Sequence, residues 1–105
     1  MSREEVLRPH LGERQSFTAS LTRITPDKIL LTKVKLGDQK FDHLWVDRQR
    51  FEKKYGIRNN FRVSFTAVPM EYLGLDENAK QVIKCGVKSV SKLRYLYKLR
   101  KGQRK

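Results

Sequence analysis

Aromatic rings and amines recur with a period of two in two nearby stretches of the chain. Phe41, His43 and Trp45 occupy alternate positions, and this alternation predicts that their side chains share one face of a β-strand. Lys33 and Lys35 recur with the same spacing just upstream. If the two stretches pair as neighbouring strands, amines and rings lie on one surface. Amines neutralise phosphates and any base can stack on a ring, so this pattern is typical of single-stranded nucleic-acid binding.

Each of these residues also has a purely structural interpretation. Trp45 packs inside the protein if the apolar residues on either side of it point outwards, and Phe41 can cover the end of a barrel. His43 has no nucleophile or second base spaced to work with it, which favours a polar surface role over catalysis. Lys33 and Lys35 are also residues that strands use to discourage edge-to-edge pairing.

The carboxylates, histidines and cysteine lack the spacing of a catalytic or metal site. Their sequence contexts place the acids at the surface, in a loop and at a helix cap, and neither a glycine-rich phosphate loop nor a serine-centred elbow occurs. The two histidines and the single cysteine are far apart, unlike the ligands of metal sites. We therefore expect no enzyme activity, no metal and no cofactor. The residues considered are Glu4, Glu5, Asp47, Asp76, Glu77, His10, His43 and Cys85.

The charge balance predicts a polyanionic partner. The chain of 105 residues holds 24 Lys and Arg against 11 Asp and Glu, which gives a net charge of +13. Self-repulsion of this size destabilises a folded chain, and a bound polyanion relieves it. At this length we expect one domain that removes roughly 65% of the unfolded chain's surface from water.

Cysteine usage and hydropathy indicate the cellular compartment in which the protein is expected. Cys85 has no second cysteine with which to form an internal disulfide, which fits a reducing environment. No apolar run reaches the roughly 18 residues of a membrane-spanning helix. Glu4 and Glu5 stand where a secretory signal carries basic residues. We expect a cytoplasmic protein with no membrane partner.

Hydrophobic periodicity divides the chain into five strands and one helix. A helix is predicted between the third and fourth strands, after Asp47 as N-cap and before Gly56. Leu30, Val34 and Leu36 of the second strand are expected to face the core. Pro69 is expected to end the fourth strand. The predicted strands are 14–24, 29–36, 41–46, 60–68 and 80–87, the helix is 48–55, and 70–79 is a loop.

This order of elements resembles the small OB-fold proteins of phage and plasmid type. Three meander strands, a helix and two further strands make a five-stranded Greek-key barrel in that family. The similar features are the stretch 41–46, the short helix ending at Gly56, the alternating strand 61–67 and a turn with Tyr72. The resemblance implies an all-β fold with one short helix and a basic C-terminal extension. The chain is then expected to consist of an N-terminal segment (1–13), an OB-fold barrel (14–93) and a basic tail (94–105).

The resemblance also implies a binding face. Proteins of this family bind single strands across the second and third strands, between two loops. Carried over, the platform consists of Lys33, Lys35, His43 and Trp45, and the rim of Tyr72 and Lys80. Arg62 and Lys84 are expected to add phosphate contacts.

The function expected from this pattern is non-enzymatic binding of single-stranded DNA with low sequence specificity, in replication or recombination of a mobile element. One alternative is an RNA-binding small barrel. Another is a basic accessory subunit that docks on an acidic protein. The segment containing Tyr95, Tyr97 and Leu99 is either an amphipathic docking segment or an arm whose rings stack on bases. A homo-oligomer or a replication-protein partner is compatible with either exposed sheet edge.

Overall fold

The protein is mostly β in a computed structural model that describes residues 1–49 and 58–99. Its elements are α1 (Arg3–Leu7), a 3-10 turn (Arg8–His10), β1 (Gln15–Ile24), β2 (Lys28–Leu36), β3 (Gln39–Asp47), β4 (Phe61–Leu75) and β5 (Gln81–Lys98). The strands form one antiparallel sheet in the order β3-β2-β1-β4-β5. This confirms the predicted all-β class with one short helix and five strands. The helix described is N-terminal, however, and most of the helix predicted over 48–55 falls on 50–57, outside the described residues.

The core is built on the alternation of β1 and β4. Phe17, Ala19 and Leu21 of β1 are buried, and β4 repeats the pattern opposite them. Phe17 and Phe65 are paired across the two strands, and their rings stack with centroids 5.3 Å apart. Because every second side chain points inwards, the intervening serines and threonines line the outer face.

Helix α1 covers a seam between the two edge strands of the sheet. Val6 and Leu7 of the helix are fully buried. The helix lies against β3 and β5, which approach each other without being paired in the sheet. The side chain of Glu4 accepts a hydrogen bond of 3.1 Å from the Cys85 amide of β5. Cys85 is itself buried.

A β-bulge at Lys33 reverses the side-chain pattern of β2. Lys33 has a φ of +47°, and the register between β1 and β2 shifts beside it. Leu31 before the bulge and Val34 after it are both buried, whereas Leu30 is only half-buried. The prediction that Leu30 faces the core was therefore wrong, because strict alternation does not continue through a bulge.

The same reversal divides the aromatic stretch of β3. Phe41 pairs with Val34, and His43 pairs with Thr32 on the other side of the bulge. Phe41 is buried, while His43 and Trp45 are exposed. The predicted exposure of Trp45 is confirmed, at 39% of its surface. The prediction that Phe41 shares that face was wrong.

Strand β4 continues past Pro69 into a two-stranded arm, in which residues 70–75 pair with 81–86 of β5. The Pro69 carbonyl oxygen accepts a hydrogen bond from the Gly12 amide. A strand residue directs its nitrogen and its carbonyl to the same side, so the proline nitrogen faces away from β5 and no ladder bond is lost. The predictions that Pro69 ends the strand and that 70–79 form a loop were wrong.

Strand β5 runs further than the predicted 80–87 because bulges curve it along β4. Ser89 and Lys92 each have a φ of +54°, and the register with β4 shifts near both. Residues 94–98 of the predicted tail lie in this strand, and 100–105 lie outside the described residues.

Candidate nucleic-acid interface

Rows of cross-strand neighbours cross the outer face of the sheet. Thr18 of β1 lies opposite Lys35 of β2 and Ser64 of β4, and Ser64 lies opposite Arg94 of β5. Directly paired residues of antiparallel strands direct their side chains to the same face. The small hydroxyl residues on the outer faces of β1 and β4, which we call the hydroxyl floor, leave room for a ligand to approach the sheet. They are Ser16, Thr18, Ser20, Ser64 and Thr66.

Arg62 of β4 lies over this floor and reaches as far as β2. Its guanidinium donates hydrogen bonds to the Lys33 carbonyl oxygen (2.8 Å), to Ser20 Oγ (3.1 Å) and to Thr18 Oγ1 (3.0 Å). Partial burial lowers the pKa of Arg62, and the nearby Tyr97 opposes that shift. All three acceptors are neutral, so these contacts orient the guanidinium without cancelling its charge.

A groove of about 650 Å³ lies beside Arg62. We call it the cationic groove and define it by Lys33, Lys35, Lys40, Arg62 and Tyr97. Tyr97 of β5 is the cross-strand partner of Arg62 on β4, and it is 53% exposed. One carboxylate, that of Asp42, also lines the groove. Basic side chains therefore predominate around a surface that also carries one accessible ring.

The structure brings together three of the eight predicted site residues in this groove: Lys33, Lys35 and Arg62. Trp45 and Tyr72 line a separate groove of about 320 Å³ at the seam between β3 and β5, together with Arg3 and Lys28. His43 is exposed on β3 opposite Thr32 and lines neither groove.

Lys80 and Lys84 lie on the arm, away from the cationic groove. Lys80 is in the turn, where its amide donates a hydrogen bond to Asp76. Lys84 pairs with Tyr72, which follows Arg62 by ten residues along β4, or about 33 Å of strand. The stem of Lys84 lies on Gly74, where an added Cβ comes within 2.8 Å of Lys84 Cδ. The arm thus separates these two amines from the other predicted phosphate contacts.

Sequence reasoning did not include Lys40 and Tyr97 among the site residues. Lys40 falls between the predicted second and third strands, but it is the second residue of β3 and pairs with Lys35. Tyr97 was assigned to the tail, although the mixture of aromatic and basic residues in that segment was a usable signal. Tyr95 has a structural role, because its ring packs edge-on against Phe61 at 5.2 Å and its hydroxyl accepts the Arg58 amide at 2.8 Å.

Comparisons of the chain with protein-family models, curated proteins and solved structures found no match. Within residues 1–49 and 58–99, no group of three or more His, Cys, Asp or Glu side chains could hold a metal ion. The described helices include none that is long and apolar enough to cross a membrane.

Proposed function

We propose that this protein binds single-stranded nucleic acid, primarily DNA, without enzymatic activity and with little sequence preference. The observation that carries the proposal is the cationic groove, in which four basic side chains lie beside Ser20 and the exposed Tyr97. Such a groove neutralises the charges of a phosphate backbone that lies close to the sheet. The net charge of +13 supports the same class of partner.

Arg62 gives the groove a fixed binding group. Its three hydrogen bonds hold the guanidinium over β1 before any ligand arrives, which reduces the ordering cost of binding. A guanidinium also bonds phosphate oxygens more specifically than an ammonium does. Lys33, Lys35 and Lys40 add three further positive charges along the groove.

Tyr97 is the ring best placed to stack on a base. It is exposed and lies beside Arg62, so a nucleotide whose phosphate binds Arg62 can place its base on the phenol. Stacking of this kind contributes about 1–3 kcal/mol per base and accepts any base. Trp45 and Tyr72 then serve as secondary contacts or as structural cover for the seam.

The strand order supports an OB-type barrel as the scaffold. β1 pairs with both β2 and β4, and β3 approaches β5 across the seam. A partly open Greek-key barrel of five strands has this kind of arrangement and commonly binds oligonucleotides on one face. In keeping with the resemblance, we propose that the protein acts in the cytoplasm in replication or recombination of a mobile element.

The proposal is tested by fluorescence anisotropy with labelled oligonucleotides at several salt concentrations. Four neutralised phosphates at roughly 0.7 each predict a slope of log K against log salt near −3 for a short oligo-dT. Unlabelled single-stranded DNA, single-stranded RNA and duplex DNA serve as competitors. Strongest competition by single-stranded DNA supports the proposal, and strongest competition by RNA assigns the groove to RNA. A slope near zero, or no binding of either single strand, overturns it.

A further inference from the structure

A second cleft, of about 450 Å³, adjoins the cationic groove on the outer face of the sheet. Lys35 lines both cavities, and the far side of the second cleft carries Lys92 and Arg94 of β5. Of the hydroxyl floor, Ser20 lines the cationic groove and the other four residues line the second cleft. No carboxylate is among the residues that line it. The two cavities therefore form adjoining parts of one basic surface.

One row of paired residues crosses the second cleft from Lys35, the residue that lines both cavities. It runs Lys35, Thr18, Ser64, Arg94, with a cation at each end and small hydroxyl residues between them. The row crosses three strand-to-strand spacings, or about 14 Å at roughly 4.8 Å each. Because the residues between the cations are short, a polyanion can lie along the row and contact both ends.

Lys92 lines the far side of the second cleft, and Arg14 lies beside the cleft through a hydrogen bond to Thr66, one of the lining residues. Lys92 occupies a bulge with a φ of +54°, and bulges redirect side chains away from the regular pleat. Arg14 donates hydrogen bonds to Thr66 Oγ1 at 2.9 Å and to Ser91 Oγ at 3.1 Å. Its exposed guanidinium is thus held beside the next row of hydroxyl residues, in the same manner as Arg62 in the first groove.

We infer that a single strand bound in the cationic groove continues across β1 and β4 into the second cleft. There its next phosphates contact Lys92, Arg94 and Arg14. The inference rests on the proposed function and adds a path to it. The strand runs roughly perpendicular to the β-strands and towards β5, whereas the sequence prediction directed it towards Lys80 and Lys84 on the arm.

The path is tested by comparing two double variants that each remove two positive charges. Lys92→Gly with Arg94→Ala alters the second cleft, and glycine suits the positive φ at residue 92. Lys80→Ala with Lys84→Ala alters the arm and is the matched control. Each variant is titrated with oligo-dT of lengths between about 4 and about 16 nucleotides, the usual range of site sizes, and thermal unfolding verifies that both variants fold.

The proposed path predicts that the loss of binding in the cleft variant depends on the length of the oligonucleotide. On long oligonucleotides the cleft variant should show a salt slope shallower by about 1.4, for two phosphates at roughly 0.7 each. On the shortest ones it should bind like the unaltered protein, and the arm variant should bind like the unaltered protein at every length. Equal effects of the two variants, or an equal loss at all lengths, overturn the path. Absence of binding by the unaltered protein overturns the proposed function instead.

Discussion

The guanidinium of Arg62 on β4 donates a hydrogen bond of 2.8 Å to the backbone carbonyl oxygen of Lys33 on β2. The two residues belong to strands that are not neighbours, since β1 lies between them. Lys33 occupies the bulge, where regular ladder pairing is interrupted. Arg62 therefore both satisfies a backbone acceptor at the bulge and presents a positive charge in the groove that Lys33 also lines. Stability and ligand binding are expected to depend on the same contact.

Replacement of Arg62 by alanine should lower both the stability of the protein and its affinity for nucleic acid. The change removes the proposed phosphate contact and leaves the Lys33 carbonyl and the Ser20 hydroxyl without this donor, at a cost in unfolding free energy of about 1–3 kcal/mol. Arg62→Lys should bind with intermediate affinity, because it keeps the charge and loses the planar fork. Urea unfolding and oligo-dT titration measure the two effects. Arg23→Ala, which alters an exposed arginine of β1, is the control, and indistinguishable results for Arg62→Ala and Arg23→Ala would contradict the prediction.

Replacement of Lys33 by glycine should raise the stability of the protein and weaken its binding of nucleic acid. A lysine at a φ of +47° is strained, so glycine should raise the unfolding free energy by about 1 kcal/mol. Loss of the amine should at the same time make the salt slope shallower by about 0.7. Ala79→Gly, at a φ of +60° in the turn of the arm, should stabilise the protein similarly without changing its binding. Unchanged DNA affinity in Lys33→Gly would exclude this amine from the site.

Tyr97→Ala should weaken oligo-dT binding more than Trp45→Ala does. Tyr97 lines the cationic groove, whereas Trp45 lines the groove at the seam. Loss of one stacked base corresponds to about 1–3 kcal/mol, or roughly 5- to 150-fold in affinity. Tyr97→Phe should retain most of the affinity, because the ring provides the stacking surface. A larger loss in Trp45→Ala would move the binding site to the seam.

Stability should depend on pH through Glu4. Burial alone raises the pKa of the Glu4 carboxyl, but the hydrogen bond from the Cys85 amide and the charge of Arg3 lower it overall below its ordinary value of 4.5. A carboxyl whose pKa is lower in the folded state contributes stability above its unfolded pKa and loses it as pH falls through the folded value. Glu4→Gln should therefore be less stable than the unaltered protein at neutral pH.

The difference should shrink as the pH falls below about 4.5. Urea unfolding of both proteins across that range measures it, and Glu13→Gln, which alters an exposed carboxylate before β1, is the control. A stability difference that persists undiminished at low pH would show that the charge of Glu4 is not what holds α1 to β5.

Alternation of apolar residues predicted the sheet where the backbone is regular. Phe17 and Ala19 of β1 and Val63 and Phe65 of β4 are buried as their spacing predicts. The pattern was misleading where the backbone leaves the β region. Nothing in the local sequence distinguishes Lys33 from an ordinary strand lysine, because the register shift beside it depends on how β2 pairs with β1.

The candidate site could be predicted only in part for the same reason. Lys33 and Lys35 share the groove with Arg62 because of the register of β2, β1 and β4, which is a long-range property. The contribution of Tyr97 depends on β5 continuing to Lys98 through its bulges. A period-two pattern is lost at each bulge, so this part of β5 was interpreted as a tail.

The most direct test of the account is to map oligo-dT binding onto the backbone amides by two-dimensional ¹H–¹⁵N nuclear magnetic resonance. We expect the largest shift changes at Lys33, Lys35, Arg62 and Tyr97, with weaker changes at Lys92 and Arg94 that appear only with longer oligonucleotides. The arm residues, Leu73 and Ile83 among them, should change little. Changes centred on the arm or on the seam around Trp45, with the groove unaffected, would contradict the account.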